Sequence, residues 1–173
     1  MVSEQPVAVP EAMYESDALV SQYCESHYGP DYFDVANFAQ NCARLGLEKM
    51  AGKPRKRALD LGCAVGRAAF ELAREFKFVN GLDFSARFIR VAIQMQEKGV
   101  IHYELPEEGE IVSFHEKSLA DFGLEGVKDR VEFFQADATN LKPRFTGYDL
   151  ILAANLIDRL YDPQKFLKFI KND

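Results

Sequence analysis

Arg57-Ala58-Leu59-Asp60-Leu61-Gly62-Cys63-Ala64-Val65-Gly66 is an apolar run that stops at an acid and turns through two glycines into a helical pattern. A parallel strand is covered on both faces, so it reads as nearly continuous apolarity. A helix that starts just after such a strand points its unpaired N–H groups at the carboxyl edge of the sheet, where doubly wound α/β proteins hold nucleotides. The stretch therefore predicts the first strand and ligand loop of an α/β fold.

The spacing inside the loop selects among ligands. A dinucleotide loop is G-x-G-x-x-G, and its middle glycine lets the backbone press against a pyrophosphate. Here the middle position is Ala64 and the next glycine is Gly66, and a methyl group at that contact argues against pyrophosphate. S-adenosylmethionine (SAM) carries no phosphate. Its loop needs a tight turn, a path for the methionine moiety and an acid such as Asp60 towards the ammonium, which the pattern D-x-G-x-x-x-G supplies. The same residues also suit a plain glycine-bearing turn between a buried strand and a helix.

Downstream, Ala69, Phe70, Ala73 and Phe76 predict a helix of about three turns packed on the sheet. Phe78 to Phe84 is a second strand whose closing acid, Asp83, lies at the distance where a carboxylate grips both hydroxyls of a ribose. Asp83 also suits capping of the next helix, although Ser85 is the better N-cap. That helix carries Phe88, Val91, Ala92 and Met95 on one face and closes at Gly99. Alternation over 101–105 and 111–115, about the turn 106–110, predicts a β-hairpin that either shapes an acceptor site or decorates the surface. Val131 to Asp137 is a third strand, with Asp137 and Ala138 placed to receive an adenine amine. Tyr148 to Ala154 is a fourth, apolar enough to be fully buried, with Asn155 at the crevice. A last helix starts near Asp162-Pro163. The expected strand order is third, second, first, fourth. The fourth is then an apolar edge, and the sheet reads as truncated after it: either the front part of a larger domain or an edge that pairs with a second copy as a homodimer.

Upstream, residues 1–10 read as a flexible leader and 11–173 as one domain, with a helical lid over 11–50, a sheet core over 57–173 and the hairpin insertion over 100–116. Leu19, Val20, Tyr23, Cys24 and His27 recur at helical spacing up to Gly29-Pro30, and a second helix is expected from about Asp34. The junction of Tyr23, His27, Tyr28, Tyr32 and Phe33 is either a lid over a small-molecule site or ordinary packing.

The composition of the 173 residues, 47% hydrophobic and 28% charged, is that of a globular domain. A net charge of -6 argues against nucleic acid or an anionic membrane as partner. No apolar run approaches the roughly 20 residues that span a bilayer. Three widely spaced cysteines and no signal peptide fit reduced thiols in the cytoplasm. Cys24 and His27 resemble half of a metal pair, but no second pair follows, so no metal is expected.

With those positions in view, the chain resembles the class I SAM-dependent methyltransferases. More narrowly it resembles the methyltransferase domain of ovothiol-forming enzymes, which methylates the imidazole of 5-mercaptohistidine. The general likeness rests on the three strand-end acids. The narrower one rests on Tyr14 to Asp17 through Gly29, on Tyr103 to Glu110, and on Asn155-Leu156-Ile157-Asp158-Arg159-Leu160. The resemblance implies a Rossmann-like sheet with N-terminal helices and an inserted β-hairpin. It implies SAM as cofactor, held by Asp60, Gly62, Cys63, Ala64 and Gly66 at the methionine end, Asp83 and Phe84 at the ribose, Asp137 and Ala138 at the adenine, and Asn155 at the mouth. Tyr14, His27, Tyr28, Asn155 and Arg159 become acceptor-side candidates for a small thiolated histidine, with little acid or base chemistry required. The family pattern continues past Ile170, and the iron-binding region that usually precedes this domain has no counterpart here. Two rival readings stand: a SAM-binding module without turnover, and an NAD-type oxidoreductase in which Asp83 holds the ribose. Ala64 discriminates against the second.

Overall fold

The computed structural model of the chain describes residues 17–172. The expected leader and Tyr14 lie outside the described residues. Two helices, α1 (Asp17–Tyr28) and α2 (Phe38–Lys49), precede β1 (Arg57–Leu61), α3 (Arg67–Leu72), β2 (Phe78–Asp83) and α4 (Ala86–Lys98). The hairpin β3 (Val100–Pro106) and β4 (Val112–Ser118) follows, then β5 (Val131–Gln135), β6 (Leu150–Leu152) and α5 (Pro163–Asn172). The third and fourth predicted strands are thus β5 and β6. The sheet runs β5-β2-β1-β6 with every pairing parallel, and β3-β4 is a separate antiparallel pair. This is the Rossmann-like order expected from the strand-end acids.

Alternation along the strands divides the core into two layers. Ala58 and Val79 face the layer packed by α3 and α4 with Phe70, Phe76 and Met95. Leu59, Leu61 and Leu82 face the other, with Phe145 and with Phe166 from α5. Phe70 meets Phe133 edge to face at 5.4 Å, and full burial of such a ring contributes about 1.5–3 kcal/mol. Asp60 shares the parity of Ala58, which points it to the α3 side.

Several local expectations hold. Ser85 caps α4 by accepting from the Phe88 N–H at 3.2 Å, and Gly99 ends it in the left-handed region at φ 73°. Others need correction. The second helix starts at Phe38 rather than near Asp34, because a bridge between Tyr32 and Val35 turns the chain with Phe33 and Asp34 at positive φ. Asn37 is its N-cap, accepting from Gln40 N–H at 3.1 Å. The helix after β1 has 6 residues and not three turns, since from Ala73 its backbone passes into turns that end at Phe76. The fourth strand is 3 residues long and only half-buried. Among the described residues it is the sheet edge; just before it Asp149 donates its N–H to the Arg57 carbonyl at 2.9 Å, and its carboxylate accepts the backbone N–H groups of Lys56 (2.7 Å) and Arg57 (3.0 Å). The third strand likewise ends at Gln135, so Asp137 sits in the turn beyond it.

No described helix is long and apolar enough to cross a membrane.

Candidate active site

A cavity of about 550 Å³ opens at the carboxyl ends of the four parallel strands. That is within the roughly 300–1,000 Å³ usual for small-molecule sites. Its floor is the β1–α3 loop, one side is the ends of β2 and β5, the other is Ala154 to Tyr161, and α1 and α2 roof it. Asp60, Asp83 and Asp137 all line it. The three strand-end acids therefore converge on one space.

The loop is built from the backbone outward. Gly62 sits at φ 74°, Ala64 at 47° and Gly66 at 92°, left-handed conformations that cost glycine nothing and a residue with a Cβ about 1–2 kcal/mol. Gly62 and Cys63 donate their N–H groups to the Leu82 carbonyl at 2.8 and 3.0 Å, lashing the turn to β2. Ala64 donates to Asp83 Oδ2 at 2.9 Å, and Ser85 N–H donates to Asp83 Oδ1 at 2.9 Å. The Ala64 N–H is the donor a pyrophosphate would need, and a carboxylate already holds it. That arrangement repels a phosphate and disfavours the NAD-type reading.

The acids differ in state. Asp60 is buried and accepts the Ala69 backbone N–H, while its Oδ2 has no hydrogen-bond partner. Burial, and then the charge of Asp83, push its carboxyl up to about 7. An unpartnered buried oxygen costs about 1–3 kcal/mol, which a cationic donor would recover. Asp83 accepts the Ala64 and Ser85 N–H groups on different oxygens, and it lines the cavity. A ribose diol presents two O–H donors of the kind a carboxylate accepts. Asp137 Oδ1 accepts from Thr139 N–H and Oγ1, both at 2.7 Å, leaving Oδ2 for an amine donor. An ammonium, a vicinal diol and an exocyclic amine are the three demands of SAM, and these residues fit them.

Cys63, Ala64, Phe84, Ala138, Asn155 and Arg159 also line the cavity, as Gly62 does. Asn155 has a φ of 51°, which swings the chain away from β6 across the mouth. Arg159 stands there beside Asp158, 3.1 Å away. His27 lines the roof. Burial, and then the Arg67 guanidinium, push its imidazole down to about 4, and its Nδ1 is buried with no partner.

Two candidates do not reach the cavity. Gly66 packs beneath it, where an added Cβ would meet Phe133 at 2.7 Å. Tyr28 is completely buried, and its hydroxyl donates to the Val65 carbonyl at 2.8 Å. It shapes the loop from behind and cannot touch an acceptor. The hairpin does not line the cavity either. Tyr103 of β3 instead donates its hydroxyl to Glu25 and buttresses α1.

Sequence reasoning missed other members. Ser26, Phe38, Cys42, Thr139 and Tyr161 line the cavity. Phe38 and Cys42 occupy one face of α2 at i, i+4, a spacing that signals a shared direction but not what it faces. Arg67 and Glu71 form a buried ion pair at 2.9 Å directly behind the loop.

The family model of the methyltransferase domain matches residues 53–172. No curated protein matches the chain by sequence. Among solved structures, a SAM-dependent methyltransferase from Clostridium acetobutylicum is similar with a TM-score of 0.55 at 19% identity, over 80% of this chain and 46% of that one. The [4+2]-cyclase SpnF is similar with a TM-score of 0.57 at 16% identity, over 90% of this chain and 55% of its own. A SAM-dependent methyltransferase from Aquifex aeolicus reaches 0.52 at 15% identity, over 94% of this chain and 66% of that one. The chain thus spans about half the length of the first two of these structures. At such identities the likeness speaks for the fold, which is the Rossmann-like fold of class I methyltransferases. SAM is the cofactor expected of that class. With the match covering the sheet, the loop and the cavity mouth together, the chain belongs to the methyltransferase domain family.

Proposed function

We propose that the chain binds SAM in this cavity and serves a SAM-dependent N-methyltransferase whose acceptor is the imidazole of 5-mercaptohistidine. The observation that carries the cofactor part is the convergence of Asp60, Asp83 and Asp137 on one space whose loop N–H is already taken by a carboxylate. The acceptor part rests on the resemblance in the hairpin and in Asn155 to Leu160, and Asn155, Arg159 and Leu160 stand at the mouth through which an acceptor would enter.

When bound, the sulfonium of SAM supplies an activated methyl group. The residues then have three tasks. Asp60 receives the ammonium, Asp83 the ribose and Asp137 the amine edge of the base, which fixes the direction from which a nucleophile can approach. The roof of α1 and α2 excludes water. No residue needs to take a proton for a neutral imidazole nitrogen to attack, so alignment supplies most of the rate.

Melting temperature measured with SAM, S-adenosylhomocysteine, NAD and FAD tests the cofactor part, because a ligand at 100 times its Kd stabilises by about 2.7 kcal/mol. A shift with the sulfur nucleosides and none with NAD is expected; the reverse overturns it. Transfer of a labelled methyl group to 5-mercaptohistidine tests the acceptor. The fold is shared with a cyclase, and a fold does not fix a reaction. Binding of SAM without transfer to any thiolated histidine would therefore select a binding module instead.

A further inference from the structure

We propose that His27 donates a hydrogen bond from Nε2–H to an electron-rich atom of the acceptor molecule, and that Arg67 is the positioning residue that holds His27 in place. This contact presupposes the methyl-donor cavity proposed above and adds to it the chemistry of the second substrate.

His27 lies in the last turn of α1, and its ring forms part of the cavity roof. Nδ1 is buried without a partner, Nε2 is not, and the ring lines the cavity, from which we infer that Nε2 is the nitrogen facing it. A neutral imidazole carries a single N–H. Proteins tolerate a buried lone pair without a partner more readily than a buried N–H without one. The proton therefore belongs on Nε2, on the side of the ring that opens into the cavity. Burial and the nearby Arg67 charge keep the ring uncharged at neutral pH, which spares a sulfonium in the same cavity a repulsive neighbour.

Arg67 fixes this placement from behind. It is almost fully buried and sets Nε and Nη2 on Glu71 Oε1, each at 2.9 Å. Its Nη1 donates to the His27 carbonyl at 3.2 Å, and Asn37 Nδ2 donates to the same carbonyl at 3.2 Å. The guanidinium lies 3.9 Å over the Phe122 ring and 5.8 Å from that of Tyr28. The neighbouring Tyr28 hydroxyl ties the same turn of α1 to the cofactor loop.

The acceptor class follows from what His27 offers. The three acids that line the cavity accept hydrogen bonds when ionised. A molecule that presents one lone pair to the methyl group and has a second electron-rich atom nearby needs a donor from the protein. His27 offers an uncharged donor in the roof, and Arg159 stands at the mouth. The fitting class is a small molecule with an anionic or lone-pair-bearing sulfur, oxygen or nitrogen next to its nucleophilic atom, as a thiolate lies beside the ring nitrogen of a mercaptoimidazole.

Long-range ¹H–¹⁵N spectra of the ¹⁵N-histidine-labelled protein test this directly. An uncharged Nε2–H tautomer for His27 at pH 7, with and without S-adenosylhomocysteine, is expected; an Nδ1–H tautomer or an imidazolium overturns the proposal. His27→Phe keeps the ring volume and removes the donor. It should leave the Kd for S-adenosylhomocysteine within about twofold and raise KM for 5-mercaptohistidine about tenfold, a loss of about 1.4 kcal/mol, with His27→Gln partly restoring it. An unchanged KM in His27→Phe overturns the contact. Arg67→Lys keeps a charge but loses the fork, and unchanged His27 signals in that variant overturn its positioning role. If S-adenosylhomocysteine fails to bind, the cavity reading falls; if it binds and 5-mercaptohistidine is not methylated, that acceptor falls. In the first case the contact falls with the cavity; in the second the tautomer still decides whether His27 can donate.

Discussion

Asp60 and Asp83 close neighbouring parallel strands, and only one of them is satisfied. Asp60 pairs in register with Gly81, two residues short of Asp83. Asp83 receives backbone N–H groups from Ala64 and Ser85, while Asp60 Oδ2 receives none. The two strands thus bring to one site a carboxylate bound by two backbone N–H groups and a carboxyl with a buried oxygen open to a cationic donor.

That difference makes ligand binding depend on pH. Asp60 is raised from 3.8 to about 7 by burial and then by Asp83. The other groups against it are the Ala69 N–H and the thiols of Cys42 and Cys63, which stay protonated. Between those two values the ligand-free native state holds a proton that the unfolded chain has lost. Its stability therefore falls as pH rises from about 4 to about 7. A ligand ammonium favours the ionised form, so affinity for S-adenosylhomocysteine should rise across pH 5.5 to 7.5, with proton release on binding. Calorimetry in two buffers of different ionisation enthalpy measures that proton. Asp60→Asn should abolish both the slope and the release; a slope that survives in it would assign the effect elsewhere.

Asp83 does two jobs, and its removal should show both. In Asp83→Ala the N–H groups of Ala64 and Ser85 lose their acceptor, and a ribose loses its partner. Affinity for S-adenosylhomocysteine should weaken by about 1–3 kcal/mol. The melting temperature of the ligand-free protein should fall as well. Asp83→Asn keeps one carbonyl oxygen and should lie between. Unchanged affinity by calorimetry would remove Asp83 from the ribose.

Tyr28 acts on the loop without facing the ligand. Tyr28→Phe leaves the ring in place and strips the Val65 carbonyl of its donor. A loss of about 1–3 kcal/mol in unfolding free energy is expected from a buried acceptor left unpaired. Denaturant titration measures that loss. The Kd for S-adenosylhomocysteine should rise a fewfold and the KM for an acceptor by less, since the hydroxyl holds the loop and the His27 turn without reaching the cavity. A selective KM effect would place Tyr28 on the acceptor after all.

What was legible in the sequence was local. β1, the glycine spacing and the acids at strand ends are set by neighbours in the chain, and the sheet order follows from them. The misread parts depend on distant contacts. Phe33 and Asp34 take positive φ without a glycine to mark the turn. Tyr148 to Ala154 has the apolarity of a central strand, yet only Leu150 to Leu152 pair with β1, and Asp149 before them turns its carboxylate onto the backbone N–H groups at the start of β1. Tyr28 looked like a lid residue by composition, although its spacing from Cys24, four residues before and equally buried, marks an inward helix face. Arg67 and Glu71 show an i, i+4 pairing in the sequence. Such pairs are usually solvated, and only the packing of Phe122 and α1 buries this one.

Gly66 is the position where loop geometry and core packing meet. Its φ of 92° is one that residues with a Cβ rarely adopt, and a Cβ there would meet the Phe133 ring at 2.7 Å and Ala92 at 3.1 Å. Gly66→Ala combines backbone strain of about 1–3 kcal/mol with overpacking of about 1–3 kcal/mol. Phe133→Leu shortens the ring side chain but leaves the φ as it is, so Gly66→Ala with Phe133→Leu should recover only the packing part. Chemical denaturation of the two single variants and the double variant separates the terms. A coupling of at least about 0.5 kcal/mol is expected for residues in contact, and strict additivity would show that Phe133 is not what holds Gly66 to glycine.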